Sequence, residues 1–234
     1  YRVMVFERWA INKSKFTFAA PNDQKELEQT VKLVSDKFRL TYHLGNESLL
    51  EFPEIHFSAN AHRIFYAGTL SWMPNRDGLV WFLRNCWSQI RSKVPDAELV
   101  VCGKGADSEL SQLMRQTEGV DYKGFVDDIN QEMEKCRMAI VPLRFGSGMK
   151  IKTFDALYRA LPLVVTSIGA EGIELVAGKH AFISDAEIEF SDAVVSLLQD
   201  DALSKSMADA GRKFVAENYT YPKIFESMLA DLLA

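Results

Sequence analysis

Cysteine is scarce in this chain, with three in 234 residues: Cys86, Cys102 and Cys136. Their odd number and wide spacing fit neither a disulfide framework nor a zinc-binding pattern. Each lies in an apolar or helical stretch, where a cysteine acts as a small buried hydrophobe, and this usage points to a reducing compartment. Long apolar runs are missing as well. No stretch of about 18 apolar residues occurs, so no membrane span is read here, and no signal peptide is visible. Neither sign of charge dominates: 27 Lys and Arg stand against 32 Asp and Glu, a net charge of −5. That balance argues against nonspecific duplex binding, which depends on neutralising phosphates. It leaves room for a local basic pocket around one anionic ligand. The four histidines, His43, His56, His62 and His180, are scattered. None is near a Ser or Cys in a nucleophile motif, none has metal-ligand spacing, and no Walker loop is present.

What is present is globular: 47% hydrophobic and 25% charged residues, in a chain long enough to bury a core without disulfides or metals. From residue 63 onward, short apolar runs alternate with helical patterns. Strands are expected over 63–67, 98–102, 120–125, 138–142 and 161–166, with a last one at 181–184. Between them, helices are expected over 76–93, 107–117, 127–137 and 149–160, with two or three more from about 187 to 233. The first of these carries Leu79, Leu83, Cys86, Trp87 and Ile90 on one face. Asp127 and Asp128 open the 127–137 helix and Lys135 and Arg137 close it, the charge order the helix dipole favours. Such alternation predicts an α/β fold with a Rossmann-like, doubly wound parallel sheet. Such a sheet binds ligands at the carboxyl ends of its strands. Glycines lie there: Gly68, Gly103 and Gly105, Gly124, Gly146 and Gly148, Gly169 and Gly172. Any one of them could be turn chemistry alone; five consecutive strand ends with glycine point to a shared crevice. The first 60 residues differ, with helices expected at 1–12 and 22–34, strands at 15–20 and 38–42, and a patternless connector from His43 to Asn60. The chain opens at Tyr1 inside a helical pattern and reads as part of a longer protein.

The stretch Pro142 to Leu157, PLRFGSGMKIKTFDAL, is the richest in chemistry. It follows a buried strand and opens a helix. Gly146 and Gly148 allow backbone amides to approach a ligand, and the helix N-terminus offers free N–H groups to an anion. Lys150 and Lys152 oppose the helix dipole there, which a diphosphate would explain; two solvated lysines are the alternative. Asp155, three residues after Lys152, either accepts from ribose hydroxyls or pairs with Lys152. In the loop GTLSWMPNRDG, Thr69 and Ser71 can donate to phosphate oxygens. Asn75 reads as a helix cap, and Trp72 either packs against a neighbouring loop or lies exposed at a cleft.

The ordered segments FYAGTLSWMPNRDGLVWFL, DAELVVCGKG, GVDYKGFVDDI, AIVPLRFGSGMKIKTFDALYRALPLVVTSIGAEGI and LLQDDALSKSMADAGRKFVAENYTY resemble the carboxyl-terminal domain of group 1 glycosyltransferases with the GT-B fold. The resemblance covers about 60 to 221. It implies residues 1–58 as the tail of an amino-terminal acceptor domain with a hinge near Gly45. It further implies 59–218 as the nucleotide-sugar-binding domain and 219–234 as a helix crossing back. It implies sugar transfer, with retention, from a UDP-, GDP- or ADP-linked donor to a saccharide or lipid-linked acceptor. No metal cofactor and no nucleic-acid partner are implied. By position, Gly68, Thr69, Ser71, Gly148, Met149, Lys150, Ile151 and Lys152 would meet the diphosphate, Asp155 the ribose, and Gly103, Lys104, Phe125 and Val126 the base. No catalytic side chain is assigned. The resemblance further implies a cytoplasmic location, with peripheral membrane contact through the missing domain, and little turnover by this part alone.

Departures from the family pattern are specific. Two glutamates that many members carry are Ser147 and Asp155 here. An Arg and a Lys of the first loop correspond to Thr69 and Asn75, a loss that Lys150, Lys152 and Arg76 could make good. A common glycine is Ala160, preceded by bulky Tyr158 and Arg159. These departures keep two rival readings open: a degenerate, noncatalytic nucleotide-sugar-binding or interaction module, and a nucleotide-sugar epimerase on the same fold.

Overall fold

A computed structural model describes residues 2–31, 36–55 and 62–233. The end of the helix expected at 22–34, and His56, lie outside the described residues. Six parallel strands form the main sheet in the order β5-β4-β3-β6-β7-β8: β3 (Arg63–Ala67), β4 (Glu98–Cys102), β5 (Val120–Gly124), β6 (Met138–Val141), β7 (Leu163–Val165) and β8 (Phe182–Ile183). Order reverses between β3 and β6, the place where such sheets open a crevice. A separate two-stranded parallel sheet joins β1 (Thr17–Ala19) to β2 (Phe38–Leu40), flanked by α1 (Arg2–Lys13) and α2 (Pro21–Val31).

Burial on both faces explains why the central strands are continuously apolar. Alternate residues serve opposite cores, as the strand period of two requires. Ile64, Tyr66, Leu99, Val101, Met138 and Ile140 pack under one helical layer. Phe65, Val100, Ala139 and Val141 pack under the other. The first layer contains α3 (Met73–Trp81), a π-helical segment Phe82–Cys86, α4 (Trp87–Lys93) and α8 (Glu187–Gln199). The expected 76–93 helix therefore starts earlier, at Met73, and carries a π segment that buries Phe82, Leu83 and Cys86. The second layer contains α7 (Ile151–Tyr158) and α9 (Asp201–Asn218), with α10 (Tyr221–Leu233) beyond them. On the β4–β5 side lie α5 (Ser108–Gln116) and α6 (Ile129–Glu134). Arg137 does not close α6. It is buried, donates to Leu197 O at 2.8 Å and pairs with Asp201 at 2.5 Å.

The expected patternless connector is ordered where described. Asn46 caps a 3-10 turn, Glu47–Glu51, and Leu44 and Leu49 are buried in the α7–α9 core. Arg212 donates to Leu50 O and Phe52 O, and Arg159 donates to Pro53 O at 2.8 Å. This strap therefore lies fastened along α7. At the other end of the chain, Thr41 meets Met228 and the Tyr42 and Tyr219 rings pack edge to face, which brings α10 against β2. No helix among the described residues is long and apolar enough to cross a membrane.

Candidate functional site

Three loops meet at the carboxyl edge of β3, β4 and β5. Gly68 N donates to Cys102 O at 3.0 Å, Gly103 N to Gly124 O at 2.7 Å, and Leu70 N to Lys104 O at 2.8 Å. Gly103 has a positive φ of 147°, and a Cβ on it would collide with the Gly68 carbonyl. Only glycine permits that approach. Across from these loops lies the N-terminus of α7. Between them is a cleft of about 560 Å³, within the usual range of small-molecule sites.

The cleft brings together most of the residues singled out in the sequence. Gly68, Thr69, Gly103, Lys104, Phe125, Val126, Met149, Lys150, Ile151, Lys152 and Asp155 all line it. Two do not. Ser71 sits against Gly105, and Gly148 faces α2 beside Ser147 and Glu171. Trp72, Asn75, Cys102 and Ile129 also belong to the wall. Trp72 and Phe125 are both exposed there, and Lys104 lies 6.0 Å from the Phe125 ring centre.

Asn75 is not the cap of α3. That position belongs to Trp72, which offers no side-chain cap. Asn75 is instead a buried platform: its Nδ2 donates to Thr69 O at 3.0 Å and its Oδ1 accepts from Lys152 Nζ at 2.5 Å. Tyr66 supports it from below by donating to Asn75 O at 2.8 Å, and the Lys152 ammonium lies 5.1 Å from the Tyr66 ring centre. No ion pair joins Lys152 to Asp155 or to any other carboxylate among the described residues, so the pairing considered for Asp155 does not form. Burial, with Lys150 adding repulsion, lowers the Lys152 pKa to about 7. Both effects oppose a charge that has no anion beside it.

Lys150 is not solvated; it is 3% exposed. Its ammonium donates to Gly146 O at 3.0 Å, to Gly148 O, and to Glu171 Oε2 at 3.1 Å. These three bonds occupy its three protons. Lys150 therefore ties the glycine loop to the loop after β7. Arg76 is likewise committed, to Asp107 and Glu109 at 2.6 Å each. Of Lys150, Lys152 and Arg76, Lys152 is the one left with a neutral partner. Beside it the α7 N-terminus has no side-chain cap, so first-turn amides remain available to an anion.

Asp155 accepts from Asn46 N at 2.7 Å through Oδ1. Burial raises its pKa, and that hydrogen bond works in the opposite direction. The histidines stand apart from this chemistry. His180 stacks on Phe214 and accepts from Val176 N, His62 pairs with Asp96, and His43 meets Met149 through its backbone. No group of three His, Cys, Asp or Glu side chains suited to a metal occurs among the described residues. Each cysteine is buried and outside any disulfide, with its thiol pKa pushed up chiefly by desolvation.

A family model described as glycosyl transferases group 1 matches residues 61–200. The chain belongs to the group 1 glycosyl transferases. A curated relative, an uncharacterized 44.6 kDa protein in the cps region of Klebsiella pneumoniae, is 25% identical over 183 residues. That match covers 75% of this chain and 47% of the relative, so the chain spans about half the length of the curated relative it matches. Among solved structures, S. aureus TarM with UDP aligns at a TM-score of 0.77 and 12% identity, covering 98% of this chain and 46% of TarM. Anabaena HepE with UDP and glucose also aligns at 0.77, with 15% identity over 98% of this chain and 66% of HepE. The pneumococcal O-GlcNAc transferase GtfA, with UDP and GlcNAc, aligns at 0.70, with 14% identity over 99% of this chain and 47% of GtfA. At these identities the likeness carries the fold, the α/β Rossmann-like architecture of GT-B glycosyltransferases.

Proposed function

We propose that this chain is the donor-binding half of a glycosyltransferase that moves a sugar from a nucleoside diphosphate sugar to an acceptor hydroxyl. The observation that carries this reading is Lys152: a desolvated ammonium on an Asn75 platform, paired with no carboxylate, beside an uncapped helix N-terminus. A group so placed is held against its own preference until an anion arrives. A diphosphate supplies that anion in the ground state. It takes on further charge as the bond from the anomeric carbon to the β-phosphate oxygen breaks. Lys152, with the Ile151 and Lys152 amides, would then stabilise the leaving group by preorganised electrostatics. Asp155 would accept from the ribose, and the loops carrying Lys104, Phe125 and Val126 would hold the base. In this reading Lys150 serves the diphosphate indirectly, by fixing the loop, and Ser71 and Gly148 contribute at most to the rim.

UDP is the first nucleotide to test, because TarM, HepE and GtfA were each solved with it. The domain limits at 58 and 218, retention of configuration, and an acceptor held by residues outside this chain belong to the same proposal. Calorimetric titration with UDP, GDP and ADP, with and without EDTA, tests it. Saturable binding of one of them, unchanged by EDTA, is the expected result. No binding of any by folded protein overturns the donor assignment.

A further inference from the structure

The strap that precedes the main sheet touches cleft-lining residues at two points, His43 N at Met149 and Asn46 N at Asp155, and only the second meets a charged group. Asn46 N–H donates to Asp155 Oδ1 at 2.7 Å. A Cβ on Gly45 would overlap that same carboxylate and come within 3.2 Å of Ile151 O. Gly45 is buried and its φ is not in the left-handed region, so its lack of a side chain matters for space and not for conformation. The contact is anchored on both sides, by Leu44 and Leu49 in the core and by Arg212 on the carbonyls of Leu50 and Phe52. It uses one of about four acceptor positions on the carboxylate. The others remain for a ligand, and Asp155 lines the cleft.

We infer that Gly45 and Asn46 are positioning residues of the donor site, with the Asn46 amide orienting the Asp155 carboxylate for the ribose diol. The inference rests on the donor reading above and deepens it: part of the sugar-nucleotide site is built by the chain segment ahead of the nucleotide-binding sheet. Without the Asn46 N–H, the half-buried carboxylate would lose its backbone partner and turn away from the diol. Without the space left by Gly45, it would be pushed off its position. The Asn46 side chain is separate from this role, since it caps Ser48 N at 3.3 Å.

The test compares UDP, GDP and ADP with their 2′,3′-dideoxy analogues by calorimetry on the full chain, after melting curves confirm folding. In the wild type, the nucleotide that binds should do so about tenfold or more tightly than its dideoxy form, the scale of hydrogen bonds to a charged group. Asn46→Pro removes the amide donor at a φ of −84° that proline tolerates. It should abolish that ratio while leaving dideoxy affinity within about twofold. Asn46→Ala keeps the amide and loses only the cap, so it should preserve the ratio. Gly45→Ala should behave like Asn46→Pro, and Asp155→Ala combined with either should add nothing. A preserved ratio in Asn46→Pro and Gly45→Ala overturns the inference and leaves the donor reading intact. Equal weakening of both nucleotide forms also overturns it, because the strap would then only support the cleft. No binding of any nucleotide to the wild type overturns both.

Discussion

Helices α5, α6 and α9 each begin with an aspartate that takes up a free first-turn amide. Asp107 accepts from Leu110 N, Asp128 from Asn130 N and Asp200 from Leu203 N, all at 2.8–2.9 Å. Helices α3 and α7, whose first turns reach the cleft, have no side-chain cap and no acidic residue in that turn. Helix α8 also lacks a cap but carries Glu187 and Glu189 there, which answers its dipole by charge. The starts of α5, α6, α8 and α9 are thus neutralised from within. The two at the cleft are left positive, and one of them has Lys152 added. Local stability has been given up where a ligand charge can supply it.

Predictions follow from forcing either region to behave like the other. Lys152→Ala should weaken nucleoside diphosphate binding by about 1.5–3 kcal/mol, the range for hydrogen bonds to charged groups. It should not lower the melting temperature at neutral pH. Unchanged affinity by calorimetry would remove Lys152 from the site. Ile151→Glu gives α7 the acidic first turn that α8 has, at an exposed position. It should reduce binding about tenfold by repulsion while stabilising the fold by about 0.3–1 kcal/mol in denaturant titration.

At the other kind of helix start, Asp200→Ala should cost about 1 kcal/mol of stability and leave nucleotide affinity unchanged. Loss of affinity there would mean that the two kinds of helix start are not independent.

The Lys152 pKa near 7 gives two pH signatures. The folded value lies below the unfolded one of about 10.4. The unfolded chain therefore binds more protons between these values, and this residue's destabilisation, full below pH 7, fades as pH rises. Ligand binding should run the other way. A bound diphosphate raises the Lys152 pKa, so binding takes up protons above pH 7 and weakens as pH increases. Calorimetry in two buffers of different ionisation heat reads that uptake, and none should be seen with Lys152→Ala. The smallest effect is expected at Ala160, whose φ of 61° is the one positive value among the described non-glycine residues. Ala160→Gly relieves about 1–2 kcal/mol of left-handed strain. It gives up about 0.8 for a buried methyl and about 0.5–1 for glycine's flexibility. A net change under about 1 kcal/mol, measured by denaturant titration, is expected.

Much of the fold was legible because its signals are local. Runs such as MAIV and ELVVC are strands wherever both faces are covered, and glycines at their ends marked the crevice. The lengths of α3 and α7 were less legible. A π segment and a left-handed Ala160 arise from packing against neighbours, and no propensity encodes them. At the site, Lys152 was legible as a cation out of place against the helix dipole. Lys150 carried the same signal and does a different job. Two carbonyls and Glu171 surround it, and Glu171 is brought there by the loop after β7. Asn75 followed Pro74 in the manner of a cap, and only the return of α7 to its side makes it a platform. The 43–55 segment had no periodicity because it is a strap, held by arginines from α7 and α9 through backbone carbonyls that any sequence would offer.

By itself, the sequence determined the alternation of strand and helix, the crevice at the strand ends, the poverty of metal and nucleophile motifs, and the concentration of charge and glycine between Pro142 and Leu157. These are properties of neighbours along the chain, set by side-chain periodicity and backbone freedom. The tertiary structure decided which of the two cleft lysines, Lys150 or Lys152, is neutralised by a carboxylate, what Asn75 supports, and that Asn46 reaches Asp155 across 109 residues of sequence. Those outcomes depend on which groups share a desolvated space, and a desolvated charge takes its character from partners that folding alone brings within reach.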